Sequence, residues 1–168
     1  MSKRERPKKV RTLETEVWLA SPLETVFEFF SDAHNLERLT PPILRFNVLT
    51  PKPIPMSAGT IIDYKLSLRG IPIRWKTLIS AWEPPHRFVD TQLVGPYMLW
   101  HHEHTFEAVD GGTLCRDIVH YRHAATWLGE KLLIRNDIRG IFEHRQKVML
   151  ERFGSPGATK PEPDHAVA

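Results

Sequence analysis

The longest regular pattern in the chain runs from Thr126 to Phe153. At about 100° per residue, Leu128, Leu132, Ile134, Ile138, Ile141, Phe142, Met149 and Phe153 share one broad face. Glu130, Lys131, Asp137, His144 and Lys147 fall mostly on the other. The stretch has no proline, Gly154 stops it, and Pro156 lies beyond. One long helix over Thr126–Phe153 is therefore predicted. Its stripe must be buried, and most of the chain between residues 43 and 123 alternates with the period of strands. A long helix packed on one curved antiparallel sheet is the simplest architecture. Arg135 and Arg145 fall inside the apolar arc. Either their stems snorkel and the guanidinium groups reach water or a carboxylate, or they line a cavity and meet a polar part of a ligand.

Upstream, residues 11–20 alternate Leu13, Thr15, Val17 and Leu19 with Thr12, Glu14, Glu16 and Trp18, which is a half-buried strand. Ser21-Pro22-Leu23-Glu24 reads as a helix start, with Ser21 as cap, Pro22 in the first turn and Glu24 completing a capping box. Val26, Phe27, Phe29 and Phe30 give that helix its buried side. A second short helix, about Leu36 to Leu39, ends before Pro41-Pro42. Ile43–Leu49 reads as a strand, followed by a proline-rich connection. The next two strands meet at Arg69-Gly70, a two-residue turn that sets Leu68 against Ile71, Tyr64 against Trp75, and Asp63 against Lys76. Arg87–Val94 is a further strand, ended by Gly95-Pro96.

The last hairpin, Tyr97–Val109 with Thr113–His123, turns at Asp110-Gly111. If Val109 pairs with Gly112, Phe106 opposes Cys115, His104 opposes Asp117, His102 opposes Val119 and Trp100 opposes Tyr121. Moving the turn to Gly111-Gly112 changes the partners but keeps the faces. Trp100, His102, His104, Phe106, Asp117 and Tyr121 then all look inward, while Glu103, Thr105, Glu107, Arg116 and His120 look outward.

An inward face normally carries aliphatic and aromatic residues. Here it carries two histidines, an aspartate and a tyrosine. Buried polar groups left unpaired cost roughly 1–3 kcal/mol each, so these must satisfy one another, water or a ligand. A His104–Asp117 hydrogen-bonded pair would orient the imidazole. Three roles compete for the cluster: a satisfied polar network in the core, the polar spots of a mostly apolar ligand cavity, and a general acid/base site. His102-x-His104 has same-face spacing with Asp117 as a conceivable third ligand, but no cysteine or glutamate sits beside them, and no metal is expected.

Composition narrows the class. The chain has 168 residues, enough for one domain with a sizeable core. No apolar run approaches the roughly 18 residues that span a bilayer, and the N-terminus has no signal-peptide core. One cysteine, Cys115, excludes an internal disulfide framework. Cytoplasm is the expected location. No glycine-rich phosphate loop, GxSxG or CxxC is present, so no cofactor and no specific nucleic-acid partner are expected. The net charge of +3 is concentrated in Lys3, Arg4, Arg6, Lys8, Lys9 and Arg11. That terminus is either solvated or in weak contact with an anionic surface such as a membrane. Residues 1–10 and 154–168 read as disordered tails around a domain at 11–153.

The chain resembles the START-like, or SRPBCC, superfamily of ligand-binding domains, which includes polyketide cyclase/dehydrase and coenzyme-Q-binding proteins. The matching residues are Ala20-Ser21-Pro22-Leu23-Glu24-Thr25-Val26-Phe27, Asp32, Asn35-Leu36, Leu39-Thr40-Pro41, Gly95-Pro96-Tyr97, Trp100-x-His102-x-His104-x-Phe106, Gly111-Gly112-Thr113, Asp117, Tyr121, Ile141-Phe142 and Arg145. The resemblance implies an α+β helix-grip fold and the bacterial ligand-binding subgroup. About seven strands would wrap the C-terminal helix, with two short helices after the first strand. It also implies a hydrophobic cavity, and both carriers and enzymes are known in the superfamily. The expected occupant is a small hydrophobic molecule: lipid, quinone or polyketide-like. Tyr64, Trp75, Trp100, Phe106, Ile138 and Phe142 would give apolar walls, and His102, His104, Asp117, Tyr121 and Arg145 polar contacts. The alternatives are a cyclase or dehydratase with His104 and Asp117 as acid/base pair, and a quinone- or lipid-handling protein at a membrane surface.

Neither tail has apolar area to bury, so a chain lacking residues 1–9 and 156–168 should melt within a few degrees of the full chain. Differential scanning calorimetry of the two proteins checks this.

Overall fold

The computed structural model describes residues 10–123 and 135–154. Strand β1 (Arg11–Leu19) is followed by helix α1 (Leu23–Ser31), a 3-10 turn (Ala33–Asn35), helix α2 (Leu36–Leu39) and a second 3-10 turn (Pro42–Leu44). Then come β2 (Asn47–Val48), β3 (Ile61–Leu68), β4 (Ile71–Glu83), β5 (Arg87–Val94), β6 (Tyr97–Val109), β7 (Gly112–His123) and helix α3 (Arg135–Phe153). The strands form one seven-stranded sheet in the order β1-β7-β6-β5-β4-β3-β2. Every pairing is antiparallel. The expected long-helix-on-sheet architecture is the one observed. No described helix is long and apolar enough to cross a membrane.

Both tight turns form where their chemistry demands. Arg69 and Gly70, and Asp110 and Gly111, all have positive φ, as a two-residue turn matched to the strand twist requires. The first fixes Leu68 on Ile71 and Tyr64 on Trp75, with Asp63 and Lys76 3.7 Å apart. The second fixes Val109 on Gly112 and hence His104 on Asp117, Phe106 on Cys115 and Trp100 on Tyr121. Two register shifts in β4, at Lys76/Thr77 and Ile79/Ala81, bend and twist that strand.

Helix α3 buries Ile138, Phe142, Arg145, Met149 and Phe153, a single stripe spaced by three or four residues. Met149 and Phe153 join a packed core with Leu19, Val26, Phe27, Phe29, Phe88 and Phe106. Ile138 and Phe142 pack instead on Val119 and Tyr121. The proposed start at Thr126 lies outside the described residues, as does the Arg135 side chain.

Two local expectations are corrected. Ser21 does not cap α1: Pro22 occupies the cap position without a side-chain hydrogen bond. The Ser21 hydroxyl instead donates to the Phe153 carbonyl at 3.1 Å, tying the start of α1 to the end of α3. Ile43–Leu49 is not a full strand: Pro42–Leu44 makes a 3-10 turn, Arg45 has φ 45°, and only Asn47–Val48 pairs with β3. Pro41-Pro42 starts the turn, and the Val48 amide donates to the Glu37 carboxylate at 3.0 Å, so the α2 region competes for this backbone.

Met149 sits in a closed core, whereas Phe142 borders the cavity described next. Met149→Ala should therefore cost about 2–5 kcal/mol. Phe142→Ala should fall below the about 3–5 kcal/mol of a tightly packed phenylalanine, because its site is already partly empty. Urea unfolding of the two variants gives both values.

Candidate functional site

α1, α2 and the turns between them do not lie flat on the sheet. Together with α3 and the concave face of β3–β6 they enclose a cavity of about 170 Å³. Phe30, Phe46, Tyr64, Trp75, Phe88 and Trp100 supply aromatic walls, and Phe142 closes the α3 side. Trp75 stands edge-on to Trp100 with centroids 5.2 Å apart, and its indole N–H donates to Thr77 at 3.1 Å. The Tyr64 hydroxyl is held well above its ordinary range by burial, with the Asp90 charge adding to it, so it remains protonated.

One wall is polar. It is built where β5, β6 and β7 run side by side and α3 crosses them. β5 pairs Asp90 with His102 and Phe88 with His104, and β7 pairs Asp117 with His104. His102 Nε2 donates to Asp117 Oδ1 at 2.9 Å, and His104 Nε2 donates to Asp90 Oδ2 at 2.8 Å. His102 Nδ1 lies 3.3 Å from Asp90 Oδ2, and His104 Nδ1 lies 2.8 Å from Asp117 Oδ1. Arg145, 7% exposed, reaches in from α3. Its Nη2 donates to His104 Nδ1 at 3.1 Å and lies 3.4 Å from Asp117 Oδ1. The guanidinium also rests 4.9 Å from the Phe30 ring centre. Phe88 stacks on His104 at 4.0 Å and fixes its plane.

The electrostatics follow from these contacts. Burial pushes the Asp90 carboxyl up, but the His102 charge and hydrogen bonds from both imidazoles outweigh it and hold it below the usual range. Asp117 is likewise pushed up by burial and pulled well below its usual value by the Arg145 charge and the same two imidazoles. His102 is depressed by burial but raised overall by the Asp90 charge and its bonds to both aspartates. His104 is lowered by burial and by the His102 charge. A neutral His104 is also what Arg145 requires, because a guanidinium only donates and Nδ1 must accept. With His102 and Arg145 cationic and both aspartates anionic, the buried group sums to zero charge.

Of the residues expected at the site, Tyr64, Trp75, Trp100, His102, His104, Phe142 and Arg145 line the cavity. Asp117 stands behind the imidazoles. Phe106 belongs to the packed core beside Phe27 and Phe88, and Tyr121 and Ile138 pack with Val119 beneath the far half of α3. His104 and Asp117 lie on the same concave face within hydrogen-bonding distance, as their register requires. Asp90 of β5 joins the cavity wall although the sequence pattern does not single it out. Its inward face follows from the observed register, which pairs it with His102. Cys115 is buried, and burial and the Asp117 charge push its thiol up to about 12, which removes it as a nucleophile at neutral pH.

Removing one charge from this network should cost much more than a surface change. Asp117→Asn keeps the shape and should lose about 3–5 kcal/mol in urea unfolding. The pH dependence has a definite sign. Both aspartates fold with depressed values, so their stabilisation is complete above the ordinary value of about 3.9 and lost as pH falls toward their folded values. The raised His102 stabilises fully below about 6.5 and loses this as pH rises through its folded value. The lowered His104 acts oppositely. From the two histidines stability should thus peak near about pH 6.5 and decline gently on either side as the unfolded imidazoles titrate, and it should fall steeply below about pH 4, with a shallower fall in Asp117→Asn.

The comparisons with known proteins agree with this fold. A family model described as "Polyketide cyclase / dehydrase and lipid transport" matches residues 19–153. No curated protein matches the chain. Among solved structures, protein CV1439 from Chromobacterium violaceum is 14% identical, with a TM-score of 0.68 over 86% of this chain and 98% of that one. Protein Ms6760 from Mycobacterium smegmatis is 16% identical, with a TM-score of 0.66 over 89% and 98%. A START superfamily protein from Mycobacterium smegmatis is 12% identical, with a TM-score of 0.64 over 84% and 96%. At such identities the likeness is one of fold. The chain belongs to the polyketide cyclase/dehydrase and lipid transport family, with the helix-grip fold of the START-like (SRPBCC) superfamily.

Proposed function

We propose that the protein binds a small hydrophobic molecule carrying a flat ring system, quinone- or polyketide-like, between α3 and the concave face of the sheet. The observation that carries this reading is the aromatic cavity of about 170 Å³. Its size is comparable to the roughly 150 Å³ cavity that takes up benzene in an engineered protein. Aromatic walls favour a flat ring over an acyl chain, because ring faces and edges pair with defined geometry. The polar wall then orients the molecule, a few polar groups in an apolar pocket being the usual arrangement of such sites.

The cyclase or dehydratase alternative asks His104 to exchange a proton with a ligand. A general acid or base needs a nitrogen within hydrogen-bond reach of the reacting group. Each ring nitrogen of His102 and His104 already lies within 3.3 Å of Asp90 or Asp117. That arrangement supports orientation rather than proton transfer, and a carrier is the preferred reading.

Native mass spectrometry of protein purified from its own host should show a co-purified species of ring-compound mass. Trp100→Ala should weaken its binding about tenfold, corresponding to about 1–1.5 kcal/mol for a lost aromatic contact. An empty chain that also fails to bind quinones or naphthols saturably would overturn the proposal.

A further inference from the structure

The network contains more hydrogen-acceptor contacts than it has protons to fill. Four imidazole nitrogens each face a carboxylate oxygen, at 2.8, 2.8, 2.9 and 3.3 Å. One neutral imidazole and one imidazolium together offer three N–H groups. A fourth would make both rings cationic with their centres 3.7 Å apart and the Arg145 guanidinium beside them. So one nitrogen is left without a proton; in the metal-free protein it is His104 Nδ1, which faces Asp117 and accepts from Arg145 Nη2 at 3.1 Å.

The arrangement is also two-sided. Asp117 meets one nitrogen of each ring, His102 Nε2 and His104 Nδ1, and Arg145 anchors it from behind. The other two nitrogens, His102 Nδ1 and His104 Nε2, converge on Asp90 Oδ2. Those three residues line the cavity, whereas Asp117 does not. Their ligand atoms lie within 4.8 Å of one another. Three such atoms around a cation with bonds of about 2.1 Å stand about 3.0–3.4 Å apart, so the widest pair has to close by no more than about 1.8 Å.

We infer that Asp90, His102 and His104 form a divalent transition-metal site on the cavity wall, with Asp117 orienting both histidines. Two histidines and one carboxylate on one side of an ion leave its other positions open, here toward the cavity. Asp117 accepts the remaining N–H of each ring, the arrangement that fixes the tautomer of metal-bound histidines; the His104 proton moves from Nε2 to Nδ1, and Arg145 gives up its bond to Nδ1 and keeps its contacts with Asp117. The metal replaces the proton that His102 otherwise carries between the aspartates. Two aspartates, Arg145 and a dication then sum to one positive charge. An anionic oxygen of a cavity ligand, such as a phenolate or enolate, restores neutrality. This last step rests on the ligand-binding reading of the cavity; the metal site does not.

The test titrates chelator-treated protein with Co²⁺ alone and, in parallel, with the apolar probe 1-anilinonaphthalene-8-sulfonate. One equivalent of Co²⁺ should bind, with visible d–d bands, displacement by Zn²⁺ and paramagnetic shifts confined to two imidazole rings. Asp90→Asn should weaken binding at least tenfold, and Asp117→Asn about ten- to a hundredfold. His120→Ala, which removes the half-buried His101–His120 pair on the outer face, should change nothing. The shifted rings of the wild-type complex identify the ligands even if a variant does not fold. Absence of saturable Co²⁺ binding to the wild type overturns the inference. So does binding lost in His120→Ala and kept in Asp90→Asn. Probe binding without Co²⁺ binding sinks the metal site and leaves the cavity reading standing; the reverse sinks only the cavity reading.

Discussion

Burying two carboxylates beside two imidazoles is tolerable only because a guanidinium arrives from the opposite layer. An isolated buried ion costs several kcal/mol even after relaxation. Asp90 and Asp117 meet that cost jointly with His102 and Arg145, and the group closes at zero charge. The consequence is architectural. Asp90 comes from β5, the histidines from β6, Asp117 from β7 and Arg145 from α3. The helix therefore has one angular setting and one height at which its only well-buried arginine, among the described residues, meets the network. Apolar packing alone would tolerate more slip, because burial is non-directional.

That fixed crossing gives α3 two different environments. Toward its C-terminus, Met149 and Phe153 lie in a continuous core with α1 and the ends of β5–β7. One and two turns before Met149, Arg145 and Phe142 face a space that α1, α2 and the turns beside them also line. The Ser21 hydroxyl bond to the Phe153 carbonyl ties the two layers at the packed end. Closed core and cavity are thus adjacent stretches of one helix stripe, and the ionic network stands at their boundary. Stacking of Phe88 on His104 extends the aromatic core to that boundary.

The parts of this design that depend on local rules were legible in the sequence. Asp110-Gly111 and Arg69-Gly70 each specify a turn, each turn specifies a register, and each register assigns faces over many residues. Arg145 was visible inside the apolar arc of α3, although its partner was not. Asp90 was not legible because its face depends on an irregular connection. A two-residue turn at Gly95-Pro96 would pair Val94 with Tyr97 and set Asp90 opposite His101, on the outer face. The observed register pairs Asp90 with His102, one residue further on. The Gln92 amide makes the difference: it donates to the Tyr97 carbonyl at 2.7 Å and accepts from the Tyr97 amide at 3.3 Å, replacing ladder bonds near the turn. Ser21 and the 43–49 segment failed for a related reason. Their short-range signals were outweighed by partners far along the chain, Phe153 for one and Glu37 with Asp63 for the other.

The dependence of the site on a charge-balanced network is tested most directly by nitrogen-15 NMR of the imidazole rings in metal-free protein. At about pH 6.5 the account predicts His102 mostly protonated at both ring nitrogens and His104 mostly protonated at Nε2 alone. Two rings that titrate together near the ordinary histidine value of about 6.5, as solvent-exposed imidazoles do, would contradict it.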